Sequence, residues 1–189
     1  ANRYLKHIVY GNRAPLLDNA AQRLRFLDQK KINTEISNGE WMFEVVFDYG
    51  DHDKASPKPN DGQITDMDGL MKHPWESRPD PFSSYRSGYE VRTYRLGQRV
   101  LLFHHFPGEP EVGANCLVRS TNFIYSQEAA NPIFSLLRSV TQYGYVRQGA
   151  EGYLKESFPP VEFSYTAAEL DNTVREIDPA SLENLPHGL

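Results

Sequence analysis

His104 and His105, adjacent within Val100 to Phe106, are the side chains of this sequence best suited to bind a metal or carry a proton. Neighbours on a strand point to opposite faces, so the two cannot readily share one ion. One is expected to be buried and hydrogen-bonded, the other to lie at a surface or interface. Asp51, His52 and Asp53 form a second possible ligand set, but they follow the end of an apolar strand pattern, where acidic residues commonly stop pairing and face water. Asp66, Asp68 and Gly69 match a fragment of a calcium loop, without the Asp-x-Asp-x-Asp-Gly spacing or the distal Glu, and read as a solvated turn. Glu109-Pro110-Glu111, between Gly108 and Gly113, reads as a polar turn joining two strands. No nucleophile elbow, P-loop or dinucleotide fingerprint occurs. No catalytic, cofactor-binding or metal-ligating residues are therefore expected, and the chain is read as having no enzymatic activity.

The remaining side chains with chemical character are arginines. In 78–106, RPDPFSSYRSGYEVRTYRLGQRVLLFHHF, a Pro-studded loop runs into an extended segment. Each proline fixes its own φ and pushes the preceding residue out of the helical region, so Arg78 to Pro81 must be extended. Arg78, Asp80, Arg86, Arg92 and Arg95 are expected to be structural, pairing with carboxylates and backbone carbonyls where this loop crosses a sheet.

Elements of period two must position these groups. Tyr89, Val91 and Thr93 alternate with Glu90, Arg92 and Tyr94. Trp41, Phe43, Val45, Phe47 and Tyr49 fall on one face and Met42, Glu44, Val46 and Asp48 on the other, which predicts a half-buried strand with Phe43 and Phe47 in the core and Glu44 exposed. Residues 100–106 are apolar on both faces apart from the histidines and fit a buried central strand. Leu117, Arg119, Thr121, Phe123 and Tyr125 oppose Val118, Ser120, Asn122 and Ile124, and further strands are expected at 3–10, 136–147 and 161–166. Gln148 to Gly152 should close a hairpin between Val146 and Tyr153, whereas Gly97 is read as a bend in one long strand rather than a hairpin turn. Residues 51–88, rich in Asp, Pro, Gly and Lys, are expected to be a long loop insertion. Helix is expected only as one or two short peripheral pieces, at Pro15 to Lys30 and behind a capping box of Thr166 and Glu169.

Composition excludes several classes of partner. Twenty basic against 25 acidic residues give a net charge of −5, which argues against nucleic acid or an anionic membrane surface. The apolar runs are too short to span a bilayer, and the first residues show no export signal. The one cysteine, Cys116, excludes an internal disulfide and is expected to be a small core residue. Mean hydropathy is −0.60, so stability must come from a modest core. Both ends read as cut from a longer protein.

Long words in order, NRYLKHIVYGNR (2–13), WMFEVVFDYGDHD (41–53), the 78–106 segment, CLVRSTNFIYS (116–126), PPVEFSYT (159–166) and DPASLENLPHGL (178–189), resemble the C-terminal part of the Salmonella plasmid virulence B (SpvB) domain. That domain opens the TcB or TcdB-like subunits of insecticidal Tc toxin complexes. The resemblance implies that residues 1–189 are one structural segment of a larger chain. It further implies a mainly β fold of long twisted antiparallel strands and hairpins, in a shell-wall or RHS-like sheet. Weak echoes among YLKHIVYG (4–11), LVRSTNFIYS (117–126) and LLRSVTQYGY (136–145) agree with an RHS-type continuation. The resemblance implies as partners a TcC-type C subunit with its enclosed toxin, the rest of the B subunit including a β-propeller, and indirectly the pore-forming A subunit. No cofactor and no membrane insertion follow from it, and the location implied is extracellular, within a secreted toxin complex, after a cytoplasmic stage. Some relatives instead carry an ADP-ribosyltransferase domain at the far C-terminus, which uses an Arg, then Ser-Thr-Ser, then Glu-x-Glu. Here Glu109 and Glu111 precede Ser120-Thr121-Asn122, so the order is wrong. A carbohydrate-binding module, drawing on aromatics such as Trp75 and Tyr85, is the other alternative; aromatic stripes at strand spacing are usually core or cross-strand pairs.

Overall fold

The computed structural model describes residues 3–15, 17, 22, 41–61, 75–126, 134–149, 152–166, 173, 176, 180 and 183. Within them the chain forms β1 (His7–Asn12), β2 (Trp41–Asp48), β3 (Phe82–Ser84), β4 (Val91–Thr93), β5 (Arg99–Phe106), β6 (Gly113–Tyr125), β7 (Leu137–Arg147), β8 (Tyr153–Ser157) and β9 (Val161–Glu162). The fold is mainly β and antiparallel. Seven strands make one sheet in the order β1-β2-β5-β6-β7-β8, with β9 also on β7, and β3 pairs only with β4. Both expected helices lie outside the described residues, apart from isolated positions such as Leu17.

Strand ends follow local chemistry. At the β5–β6 turn Val112 and Gly113 donate to the Glu109 carbonyl at 3.1 and 2.7 Å, as the Gly-flanked Glu109-Pro110-Glu111 predicts. Gly113 sits at φ +73°, and a Cβ there would meet the Arg147 guanidinium, which instead donates to the Val112 carbonyl at 2.6 Å. The β7–β8 hairpin closes where expected, with Gln148 N–H donating to the Gly152 carbonyl at 2.8 Å. β8 and β9 are two stretches of chain running along β7, interrupted at Pro159-Pro160, which have no N–H for the ladder.

The sheet has an inner and an outer face. Val46, Leu101, Phe103 and Leu117 form the buried core on the inner face, and Tyr145 and Tyr153 pack against it. β5 is buried and central, as its two-faced apolarity predicts.

Four expectations need correction. On β2 the buried face is Glu44, Val46 and Asp48, while Phe43 and Phe47 are only half-buried. The inner face is the covered one, and its two carboxylates are neutralised by partners described below. On β6 the ladder slips between Leu102 and Phe103, so Arg119 pairs with Leu102 and Leu117 with Phe103. The extra residue, Val118, breaks the alternation and puts Leu117 and Ser120 together inside. Gly97 bends no continuous strand: β4 and β5 belong to different sheets, with non-strand backbone between them. Finally, the expected loop 51–88 contains β3, and in its first part Asp51, His52 and Asp61 are buried.

Candidate functional site

Register places one polar residue from each of four strands in a single cross-strand row. Asp48 of β2 faces Arg99 of β5, Arg99 faces Asn122 of β6, and Asn122 faces Thr141 of β7. Directly opposed residues share a face, so this row terminates the apolar core on the inner side. Beside it opens a cleft of about 720 Å³, lined by the row together with Tyr143, His52 and Arg78.

Arg99 organises the row. Its Nε donates to Asp48 Oδ2 at 2.6 Å, and its Nη atoms donate to the carbonyls of Asp53 at 2.8 Å and Lys54 at 3.3 Å. The other Asp48 oxygen accepts from the backbone N–H of Gly50 at 2.8 Å and His52 at 3.3 Å. One guanidinium thus fixes two strands and the following turn, which is the fork geometry arginine supplies and lysine cannot. Further on, Asp61 Oδ2 accepts from the N–H of Lys58 at 2.7 Å and of Asp53 at 3.2 Å, folding 51–61 back on itself.

Beside this row, Lys6, just before β1, donates to Asp51 Oδ2 at 2.6 Å, His52 Nε2 at 2.8 Å and the Phe47 carbonyl at 3.1 Å. At the far end of the core, Glu44 accepts from His7 Nδ1 at 2.5 Å and His105 Nε2 at 3.0 Å, tying β1, β2 and β5. His105 Nδ1 faces the Ala114 carbonyl at 2.7 Å and Asn115 Oδ1 at 3.0 Å. Acceptors on both ring nitrogens require two N–H groups, so His105 is an imidazolium. Its pKa is raised against the opposing effect of burial, chiefly by the Glu44 hydrogen bond, and that of Glu44 is lowered against burial by the two histidines. His104 does point to the other face, where its ring meets Phe43 and Phe106 at 5.0 and 6.0 Å.

The expected arginine set is spread over several contacts. Arg78 forms a two-pronged pair with Asp80 at 2.9 and 3.1 Å, and Asp80 also accepts from Ser135 N–H at 2.7 Å and Oγ at 2.6 Å. These donors hold the Asp80 carboxyl well below the usual range, against the effect of burial. Arg92 donates to Ser83 Oγ across the β3–β4 pair at 3.2 Å. Arg95 lies over the rings of Trp75, Tyr4 and Tyr49 at 4.3, 5.2 and 5.5 Å, so aromatic faces take the place of the carboxylates expected for it. Arg86 is exposed.

The chemistry of these groups is cohesive. Ser120 Oγ is held by Asn122 Oδ1 and Tyr145 Oη at 2.8 and 2.9 Å, and burial pushes the Cys116 thiol up, away from the reactive thiolate. Asp51 and His52 both turn to Lys6, while Asp53 caps the N–H of Ala55 and Ser56 at 2.7 and 2.8 Å. Asp66 and Asp68 lie outside the described residues. Among the described residues no three metal-ligating side chains converge, and no helix is long and apolar enough to cross a membrane. Sequence reasoning missed Lys6, His7, Asp48, Arg99 and Ser135. The available signal was the four-residue spacing of Glu44 and Asp48 on either side of Val46, two charges on the face of an aliphatic.

Comparison with known proteins gives this geometry a family context. Residues 1–106 match the family described as Salmonella virulence plasmid 65kDa B protein. Over 151 residues, 79% of this chain, the sequence is 33% identical to Mono(ADP-ribosyl)transferase SpvB of Salmonella typhimurium, and equally to that of Salmonella dublin. The chain spans 22% of the length of these curated relatives. The crystal structure of TcdB2-TccC3-Cdc42 is similar with a TM-score of 0.60 and 29% identity, covering 88% of this chain and 7% of that one. For TcdB2-TccC3-TEV the TM-score is 0.59 at 28% identity, with the same coverage.

Proposed function

The chain belongs to the SpvB family of virulence plasmid B proteins, and from that premise we propose that it is a non-catalytic structural segment of a toxin-complex B subunit. In this reading it forms part of a β-strand shell that encloses, and helps deliver, the cytotoxic part of a TcC-type C subunit. The observation that carries it is the likeness of 88% of this chain to a segment of the TcdB2-TccC3 structures, at a TM-score of 0.60 and 29% identity. The inner polar row supports it: every described charge there is spent on joining strands and turns, as a wall requires. The remaining partners are the rest of the B subunit with its β-propeller and, through it, a pore-forming A subunit; the location is extracellular within the secreted complex. Of the five residues expected to be structural, Arg78, Asp80, Arg92 and Arg95 are so in this reading and the exposed Arg86 is not; 51–88 is an insertion within the segment 1–189, and neither cofactor nor metal is needed.

A second reading is favoured by the 33% identity to Mono(ADP-ribosyl)transferase SpvB. There the segment is a scaffold in a virulence effector whose transferase domain lies elsewhere in the chain. Co-expression of the full protein with a TcC-type partner separates the two. Co-purification of a complex in which the partner's toxin is protected from protease is expected. A full protein that ignores such a partner, yet transfers ADP-ribose, would replace the first reading with the second. Transfer by residues 1–189 alone would overturn both.

A further inference from the structure

We propose that Lys6, Asp51 and His52 form an acid-released latch: a proton on His52 Nε2 parts the segment before β1 from residues 51–61 and loosens that turn, which Arg99 still tethers to β5. The hydrogen-bond geometry fixes the protonation state of the closed form. An ammonium has three donors and no acceptor, and Lys6 Nζ meets three acceptors, Asp51 Oδ2, the Phe47 carbonyl and His52 Nε2. The other ring nitrogen, Nδ1, lies 2.9 Å from the Lys58 carbonyl and must carry the ring's hydrogen. His52 is therefore neutral, with its lone pair aimed at a cation. Protonation converts that acceptor into an N–H pointing at an ammonium, inside a side-chain site with 0% exposure. The other charged groups facing the ring are carboxylates already engaged elsewhere: Asp48 by Arg99 and two backbone N–H groups, Asp51 by Lys6, and Asp61, 3.8 Å from Nδ1, by two backbone N–H groups. Arg99 reaches the turn from β5 through the His52 carbonyl at 3.4 Å, and Lys54 and Lys58 are exposed.

Burial, then the Lys6 charge, hold the His52 pKa below its ordinary value. Its stabilising contribution is thus complete above the ordinary histidine value, about 6.5, and is lost as pH falls through the lowered folded value. The opposite end of the sheet responds the other way. His105, raised by Glu44, keeps its contribution on acidification, so β1, β2 and β5 remain joined while the latch lets go.

Residue-resolved amide exchange on the full chain, compared at about pH 7.5 and about pH 5 after correction for intrinsic rates, tests the latch. Protection across 49–61 should fall about tenfold on acidification while that of Leu101 and Phe103 persists. His52→Gln keeps both hydrogen bonds, its oxygen toward Lys6 and its amide toward the Lys58 carbonyl, and should abolish the loss. Unchanged protection in the natural chain, or an equal loss in the variant, overturns the proposal. Should the variant not fold, the ring nitrogen shifts of the natural chain decide. A neutral Nδ1–H tautomer titrating below about 6.5 sustains the latch, and an Nε2–H tautomer or a titration above that value ends it.

Discussion

The two faces of β2 invert the usual relation between hydropathy and burial. One carries Phe43, Val45 and Phe47, all half-buried; the other carries Glu44, Val46 and Asp48, all buried. On the outer face Phe43 stacks on Tyr10 at 5.1 Å and meets His104 and Phe106 edge-on at 5.0 and 5.8 Å, an aromatic cluster along three strands that keeps some contact with solvent. On the inner face an aliphatic row is closed at each end by a carboxylate with dedicated cations or donors. Burial is decided by which face the rest of the fold covers, and charge is tolerated there because each carboxylate is paired and hydrogen-bonded.

That comparison breaks most sharply at the core. Phe103→Ala should cost about 4 kcal/mol of unfolding free energy, the range for a large aromatic lost from a packed interior, whereas Phe43→Ala should cost about 1 to 2 kcal/mol because its ring is already partly solvated. Urea unfolding of the two variants measures both. A Phe43 variant at least as damaged as Phe103 would mean that the outer face is the covered one.

Next in size is Glu44. Its removal leaves the His105 imidazolium facing no counter-charge among the described groups, so Glu44→Ala should cost about 3 kcal/mol, as breaking a buried ion pair does. This reverses the expectation from alternation alone, under which the change would be tolerated within about 0.5 kcal/mol.

The same residue should shape the pH profile. His105, with its raised pKa, contributes fully below about 6.5 and loses its contribution as pH rises through its folded value. Glu44, with its lowered pKa, contributes above about 4.3 and loses it as pH falls through its folded value. The bridge should therefore be strongest between these limits, and Glu44→Gln should flatten the alkaline limb of stability against pH. An unaltered alkaline limb would show that His105 is neutral in the fold.

Much of the fold was legible in the sequence because strand period, proline and glycine positions act locally. The central place of β5, the turn at Glu109-Pro110-Glu111 and the hairpin at 148–152 all follow from residues within a few positions of one another. The phase of β2 was not legible, since it depends on partners far along the chain: His7 and His105 lie 37 and 61 residues from Glu44, and Arg99 lies 51 from Asp48. The bulge opposite Leu102 and Phe103 was hidden for the same reason. Nothing near Val118 announces it; it shows in the ladder, and the N–H of Leu117 beside it bonds Tyr153 Oη at 3.2 Å. The polar row, likewise, exists only once four strands are in register.

The smallest expected effects sharpen the comparison where the chain crosses between sheets. Arg78 and Arg86 look alike in the sequence, each followed within a few residues by a turn, yet their environments differ as the two faces of β2 do. Arg78 is partly buried and holds Asp80 with two hydrogen bonds, while Asp80 in turn accepts two from Ser135, joining the 78–80 loop to the chain entering β7. Arg78→Ala should therefore cost about 1.5 kcal/mol, the scale of a hydrogen bond to a charged group, and should loosen Ser135 as well. Arg86 stands on the exposed β3–β4 hairpin, and only its backbone N–H has a hydrogen bond described, a long one of 3.5 Å to Ser84 Oγ. Arg86→Ala should change stability by no more than about 0.5 kcal/mol. Equal costs for the two variants would mean that arginine content alone, and not burial with a carboxylate partner, sets the strength of this crossing.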